Sequence, residues 1–425
     1  MTTAPSSRTL EADMKVRSVR AFLLSYPFPE PVRLSYHGGD RTIHKRDAML
    51  IRVETENGLV GYAPGQGSET ARDAVLHTIA PFLEGKTVGD VDALRVMFQR
   101  TATPDEFLMR TFCSVEIALY DLLGKSRGLP VSELIGGRVR DRIRLYGSAG
   151  MYMPPEKYAE EAAAVAGLGF RAYKMRPALG PEGDVETVRR MRDATGAAFD
   201  LMIDAHTWWR MGDNSYSFDT VRRVAEEMAD YEIAWLEEPL PPHEHELYKQ
   251  LRDANLVPLA SGEHEADESG YVDLIETASV DYVQMDVVCQ GGYSVARRLL
   301  PGISSGGLKF AFHSWGTALE VVAAAQLGIC WPENVVEWLE YPCYSTPAQP
   351  FMYAFPIASE ILADPLEIDA GDLIVPRGPG LGVTVNEAVI EKYPWIPGPW
   401  SSFTTHSPKQ TWSVSGDHSV QWADK

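Results

Sequence analysis

Nine ionisable side chains punctuate the second half of the chain, each at or just past the end of a short apolar run: Lys174 and Arg176, Asp204 and His206, Glu237, Glu263, Asp286, His313 and Glu340. From Asp204 onward, successive groups lie 23 to 33 residues apart, close to the length of one βα unit. Three carboxylates, Asp204, Glu237 and Glu263, brought together from neighbouring strands would repel one another unless a cation shared them. Oxygen-only ligands favour a hard ion, Mg²⁺ over zinc, with positions left open for water and substrate. Taken singly, each carboxylate reads equally well as a cap for the helix that follows its strand; the coincidence of three favours the metal. Asp286 and His313 fall on adjacent runs, where the carboxylate can hold one imidazole nitrogen and raise the basicity of the other, a general-base pair. A lone histidine after an apolar strand is ordinarily just packed or hydrogen-bonded, but here the orienting partner stands beside it.

Such groups converge only if the elements beneath them form a closed parallel barrel, whose strand ends gather at one mouth. After Gly136-Gly137, eight short β-rich runs alternate with amphipathic helical stretches: 143–146, 172–175, 199–203, 233–236, 257–260, 282–285, 309–312 and 335–339. This is the pattern of a (β/α) barrel. Ahead of it, residues 15–56 alternate in the strand manner, and Asn57-Gly58 marks a hairpin into Leu59-Val60-Gly61-Tyr62. Helical spacing follows at 69–83, 91–99 and 109–125. The expected organisation is a flexible start (1–13), an α+β capping domain (14–136), the barrel (137–345), and a segment (346–425) that completes the capping domain and carries a tail. Within that segment, Gly382 to Val385 reads as an edge strand, and Pro29 to Lys45 reads as a flexible polar stretch.

With 45% hydrophobic and 23% charged residues in 425, the composition is that of a globular protein and excludes disorder, collagen and coiled coil. A net charge of −20 argues against nucleic acid and anionic membrane as partners. Cys113, Cys289, Cys330 and Cys343 form no CxxC pair and suit reduced thiols. No run approaches a membrane span, and Met1 to Asp13 has no signal-like apolar core, so the expectation is a soluble cytoplasmic protein.

The chain resembles the enolase superfamily in its mandelate racemase branch, over nearly its whole length. The segments that carry the resemblance are Ala118-Leu119-Tyr120-Asp121 with Gly124-Lys125, Lys174-Met175-Arg176, Ile203-Asp204-Ala205-His206, Leu236-Glu237-Glu238-Pro239, Gly262-Glu263-His264, Gln284-Met285-Asp286 with Gly291-Gly292, His313-Ser314 and Leu339-Glu340-Tyr341-Pro342. The resemblance implies an α/β fold, a modified (β/α)₇β TIM barrel under an N-terminal α+β capping domain. It also implies one Mg²⁺ per subunit stabilising an enediolate formed by loss of the proton α to a carboxylate. Carried over by position, Asp204, Glu237 and Glu263 would hold the metal, with Glu238 behind them. Asp286 and His313 would be the catalytic dyad, Glu340 the acid facing the substrate carboxylate, and Lys174 the first lysine of the family's Lys-x-Lys pair.

Two departures narrow the chemistry. The second lysine is Arg176, whose guanidinium holds its proton at neutral pH and suits clamping an anion better than accepting a proton. That argues against racemisation. Where many members have Asp-x-Asn, this chain has Asp204-Ala205-His206, which resembles sugar-acid dehydratases of the galactonate and mannonate type. There the histidine protonates the departing hydroxyl, a poor leaving group that needs an acid; the bland reading has His206 merely hydrogen-bonded or packed beneath Trp208 and Trp209. Tyr36, His37 and Arg41 lie where the family's closing loop meets substrate, and His264 adjoins a ligand. His243 and His245 are expected to begin a solvated helix. The expected function is a Mg²⁺-dependent dehydratase of a small sugar acid, aldonate or aldarate, giving a 2-keto-3-deoxy acid. An aldarate would require a further cation, from Arg41, Lys45 or Arg176. The rivals are a same-fold epimerase or cycloisomerase, and a non-catalytic sugar-acid binder. A homo-oligomer is expected, because Trp395, Trp400 and Trp412 fall in a tail with no obvious core of its own.

Overall fold

The structure, a computed structural model, describes residues 14–342 and 355–414 and the backbone of 420–422. The expected N-terminal segment 1–13 and Cys343 lie outside the described residues.

The chain opens with three antiparallel strands, β1 (Val16–Tyr36), β2 (Gly39–Thr55) and β3 (Val60–Gly65). The turn expected at Asn57-Gly58 joins β2 to β3, with Gly58 at φ +84°. The helix Glu106–Arg127 packs on this sheet; it starts where Asp105 accepts a hydrogen bond from Leu108 N (2.8 Å) and ends at Gly128 in the left-handed conformation. Every residue from Thr111 to Gly124 is buried, because this helix lies between the sheet and the barrel.

Eight parallel strands form the barrel: β4 (Arg142–Met151), β5 (Ala172–Arg176), β6 (Asp200–Asp204), β7 (Trp235–Glu237), β8 (Leu259–Ser261), β9 (Tyr282–Met285), β10 (Lys309–Phe312) and β11 (Trp338–Tyr341). β11 pairs with β4, and a bridge between Phe310 and Val336 closes the ring. The period of two sorts the interior into layers. One residue from each strand builds an apolar plug: Tyr146, Ala172, Met202, Trp235, Ala260, Tyr282, Ala311 and Trp338. Two residues further along the strands stand Ser148, Lys174, Asp204, Glu237, Gln284, His313 and Glu340, so the alternation that fills the core also raises the polar groups to the mouth.

Past the barrel, β12 (Ile368–Asp369) and β13 (Asp372–Ile374) form a hairpin on the lower part of β4. Then β14 (Ser401–Thr405) pairs with β2, and β15 (Thr411–Val414) and β16 (Val420–Trp422) extend that sheet.

Three expectations require correction. The segment Pro29 to Lys45 is no loop: its residues form an antiparallel ribbon with Val32 opposite Ile43 and Tyr36 opposite Gly39, held on its other edge by β14. Gly382 to Val385 forms no strand beyond a single bridge from Val385 to Leu362, because Gly380 and Gly382, both at positive φ, bend the backbone there. The tail aromatics do have a core. Trp400 and Trp412 are buried within their own chain, and Trp395 packs over Lys45, whose ammonium lies 4.2 Å from the ring centroid. They therefore give no reason to invoke a second subunit. Among the described residues, no helix is long and apolar enough to cross a membrane.

Candidate active site

At the mouth of the barrel, opposite charges are packed in alternation. Lys174, fully buried on β5, reaches Glu237 Oε1 (2.7 Å) and Glu340 Oε1 (3.0 Å). Burial opposes its charge, but Glu237 and Glu340 outweigh that and keep the ammonium protonated. Arg176 donates through Nε to Asp204 Oδ2 (3.1 Å) and stacks on Trp315, 4.0 Å from the ring centroid. Glu340 also accepts hydrogen bonds from Ser148 Oγ (2.6 Å) and Ser314 N (2.8 Å). Burial raises its pKa, but Lys174, His313 and Arg176 prevail and hold it at about 2. An ionised Glu340 cannot donate to a carboxylate; in this geometry it aims Lys174 and Arg176 at the place where an anion would sit.

Both catalytic candidates among the histidines are anchored through Nδ1. His206 Nδ1 lies 2.6 Å from Asp204 Oδ1, and His313 Nδ1 lies 2.9 Å from Asp286 Oδ2. Asp286 is itself fixed, its other oxygen accepting from Val288 N and Cys289 N. The Nε2 atom of His313 is thereby turned toward Glu263 Oε2, at 3.6 Å. Burial disfavours the charged ring, but Glu263, Asp286 and Glu340 overcome it and push His313 up to about 10. In these surroundings it carries a proton at neutral pH and becomes a base only when the negative charge around it is reduced.

The group that could hold a metal keeps only Glu263 of the expected Asp204, Glu237 and Glu263, since both oxygens of Asp204 are engaged by His206 and Arg176. Glu237 is committed to Lys174 and to Trp235 Nε1 (2.9 Å), while Glu238, at φ +41°, turns its side chain toward His264 Nδ1 (2.6 Å). Glu238, Glu263 and His264 each place a ligand atom within 4.8 Å of the others. Glu263 Oε2 is buried and accepts no hydrogen bond. Burial and then Arg210 hold His264 down at about 3, which leaves the ring neutral, its Nδ1–H donating to Glu238 and its Nε2 accepting from Arg210. Arg210, stacked on Trp209 and hydrogen-bonded to His264 Nε2 (3.0 Å), supplies positive charge to Glu238, Glu263 and Asp204. This oxygen-rich set, with a carboxylate oxygen that accepts no hydrogen bond among the described residues, fits a hard divalent cation.

Of the expected substrate contacts, Arg176, Tyr36, Arg41 and His264 line one cavity with Asp204, His206, Glu263 and His313. His37 does not: it is exposed, and its backbone N–H donates to Ala178 O (2.7 Å). Lys45 is turned away into an ion pair with Asp47 (3.0 Å). Sequence reasoning missed Ser148, Arg210 and Trp315. Ser148 was accessible, since it lies two residues past Tyr146 on β4; Arg210 and Trp315 sit in loops with no periodicity to read. It also missed Trp400, Phe403, Trp412 and Val414, which close the cavity from the tail, and Glu320, which with Asp286 and His313 lines a second cavity behind the dyad.

The comparisons agree with this architecture. Residues 19–136 match the mandelate racemase / muconate lactonizing enzyme N-terminal domain, and residues 157–389 match the enolase C-terminal domain-like family. The chain belongs to the enolase superfamily. Among curated relatives, D-galactarolactone cycloisomerase of Agrobacterium fabrum is 26% identical over 396 residues, covering 89% of this chain and 99% of that protein. L-rhamnonate dehydratase of Saccharopolyspora erythraea is 30% identical over 366 residues, 82% of this chain and 85% of its own length. A solved member of the superfamily from a Polaromonas species superposes with a TM-score of 0.78 at 28% identity, covering 91% of this chain and 99% of that one. The capping-domain-plus-barrel fold is that of the superfamily. Mg²⁺ is the ion its members typically bind, and neither family match extends past residue 389.

Proposed function

We propose that this chain is a Mg²⁺-dependent hydro-lyase that converts an acid sugar into its 2-keto-3-deoxy product. The observation that carries the reading is that His206 and His313 line one cavity, each tied through Nδ1 to its own carboxylate, while the position of a second lysine base holds Arg176. Two positioned imidazoles suit an elimination, which needs one base and one acid. Lys174 and Arg176 would hold the substrate carboxylate, and Glu340 would keep both cations in place. A Mg²⁺ ion held by Asp204, Glu263 and either Glu237 or Glu238 would supply positive charge to that carboxylate and reduce the field that keeps His313 protonated. His313 Nε2 then takes the α-proton, and the electron pair is delocalised toward the carboxylate. Loss of the 3-hydroxyl breaks the C3–O bond, with His206 delivering the proton that lets it leave as water. The resulting enol ketonises. The relatives named as dehydratases of rhamnonate, xylonate and gluconate support this reading.

The lactone cycloisomerase relative favours a second reading on the same base chemistry, in which the leaving oxygen is a ring carboxylate that needs no acid. A screen of acid sugars and their lactones, with and without Mg²⁺, separates the two. Products lighter by one water that trap with semicarbazide support dehydration; isomeric products from lactones alone support cycloisomerisation.

A further inference from the structure

The cavity has two unlike ends. At the barrel end stand the ionisable groups already described. The far end is closed by the β14–β15 hairpin, which lies beyond both family matches, and it is aromatic: Phe403 and Trp412 stack with centroids 5.0 Å apart and planes 4° apart, beside Trp400 and Val414. The cation there is Arg41. It is buried, donates through Nε to Ser401 Oγ (2.9 Å), and has its guanidinium 4.5 Å from the Phe403 centroid and 4.9 Å from that of Trp400. Arg41 thus clasps the hairpin to β2. Tyr36 adds a buried hydroxyl with no hydrogen-bond partner among the described residues, at the wall of the same cavity.

We infer that this C-terminal hairpin is the specificity element of the site, and that it selects an acid sugar whose distal end is uncharged: a monocarboxylate, not a dicarboxylate. The inference rests on the dehydratase reading for the proximal carboxylate. A second carboxylate placed under Phe403, Trp412 and Val414 would lose its hydration against apolar faces, while Arg41 is already engaged through Nε by Ser401, through a terminal nitrogen by Met151 Sδ (2.8 Å) and by two rings. A neutral terminus loses little there. It can lay its C–H face on Trp412 and place one hydroxyl on Tyr36 Oη, satisfying an atom that otherwise has no partner among the described residues.

The test compares acids of one stereochemistry that differ only at the last carbon (CH₂OH, CH₃ or COO⁻), by Kd from calorimetry with Mg²⁺ and by kcat/KM. The dicarboxylate should be disfavoured by roughly 10²-fold or more, the range for leaving a buried charge without its partner. Val414→Arg, which puts a cation under the roof, should narrow or reverse that ratio by about tenfold or more. Trp412→Ala should raise KM for the neutral-ended acid with little change in kcat; Trp412→Phe, which keeps the stack, should recover most of that loss. Equal binding of mono- and dicarboxylate, or an unchanged ratio in Val414→Arg, overturns the inference. Because Kd is read without turnover, selective binding without a keto product would sink the dehydratase reading alone. Absence of binding by any of these acids would sink both.

Discussion

His206 and His313 share a way of being held but not a surrounding, and that difference assigns them different steps. His313 faces three carboxylates, Glu263, Asp286 and Glu340, which strengthen its hold on a proton once it has one. His206 hangs from Asp204, whose second oxygen is taken by Arg176. If His313 is the base, His313→Asn should abolish both exchange of the α-proton and product formation. If His206 is the leaving-group acid, His206→Asn should slow dehydration by about 10²–10⁴-fold while α-proton exchange survives. Proton NMR in deuterium oxide reads exchange while a keto assay reads product. Wild-type dehydration by His206→Asn would remove the acid from that role and turn attention to Arg210. Much of this site was legible in the sequence, because strand-end groups follow from a period of two and the spacing of βα units. The partition of Glu237 and Glu238 was not. Which of two adjacent carboxylates faces the mouth depends on the positive φ at Glu238, and nothing in Glu-Glu-Pro specifies that angle.

At the scale of elements, the part that sequence could not show is the tail, since β14 finds its partner β2 some 360 residues earlier and no local pattern announces such a pairing. The contact is tight. A Cβ on Gly39 would lie 2.1 Å from Thr404 O and 2.8 Å from Tyr36 Oη, so Gly39→Ala must push β14 off the ribbon. Its expected signature is rapid tryptic cleavage at exposed Lys409, between β14 and β15, with the barrel core still protected; an unchanged digestion pattern would show that the sheet absorbs the methyl group. A second element was expected to be solvated, and among its residues only Tyr248 and Leu251 are buried. The helix His245–Asp253 begins where stated, but the His245 ring bridges Glu265 (2.8 Å) and Asp273. Hydrogen bonding to Glu265, opposed by partial burial and aided by Asp273, raises His245 to about 9. Its folded pKa thus lies above the unfolded value of about 6.5, so the stabilisation is complete below pH 6.5 and is lost as pH rises through 9. Solvent screening brings its size to about 1–2 kcal/mol. Urea midpoints should fall over that interval, and His245→Gln should flatten the slope.

For the molecule as a whole, the charge balance of the mouth makes metal binding a stability term as well as a catalytic one. Asp204, Glu237, Glu238, Glu263, Asp286 and Glu340 face Lys174, Arg176, Arg210 and a protonated His313, six carboxylates against four cations, with burial pushing Glu237 and Glu238 up toward their neutral forms. A chain of net charge −20 offers no compensating surface field. Folding therefore gathers negative charge at a place where burial penalises it, and a cation that binds only the folded form should shift the equilibrium toward that form. At a Mg²⁺ concentration of 100 times Kd the gain is about 2.7 kcal/mol. Calorimetric Tm measured with Mg²⁺, and after EDTA with ionic strength restored by NaCl, should differ accordingly. Glu263→Gln separates this from generic screening. Among the described residues Glu263 Oε2 accepts no hydrogen bond and faces the His313 ring at 3.6 Å, so the neutral amide should cost the metal-free protein little while removing the Mg²⁺ increment. The opposite pattern, a destabilised metal-free variant whose Tm still rises with Mg²⁺, would mean that Glu263 serves the fold and that the ion is held elsewhere.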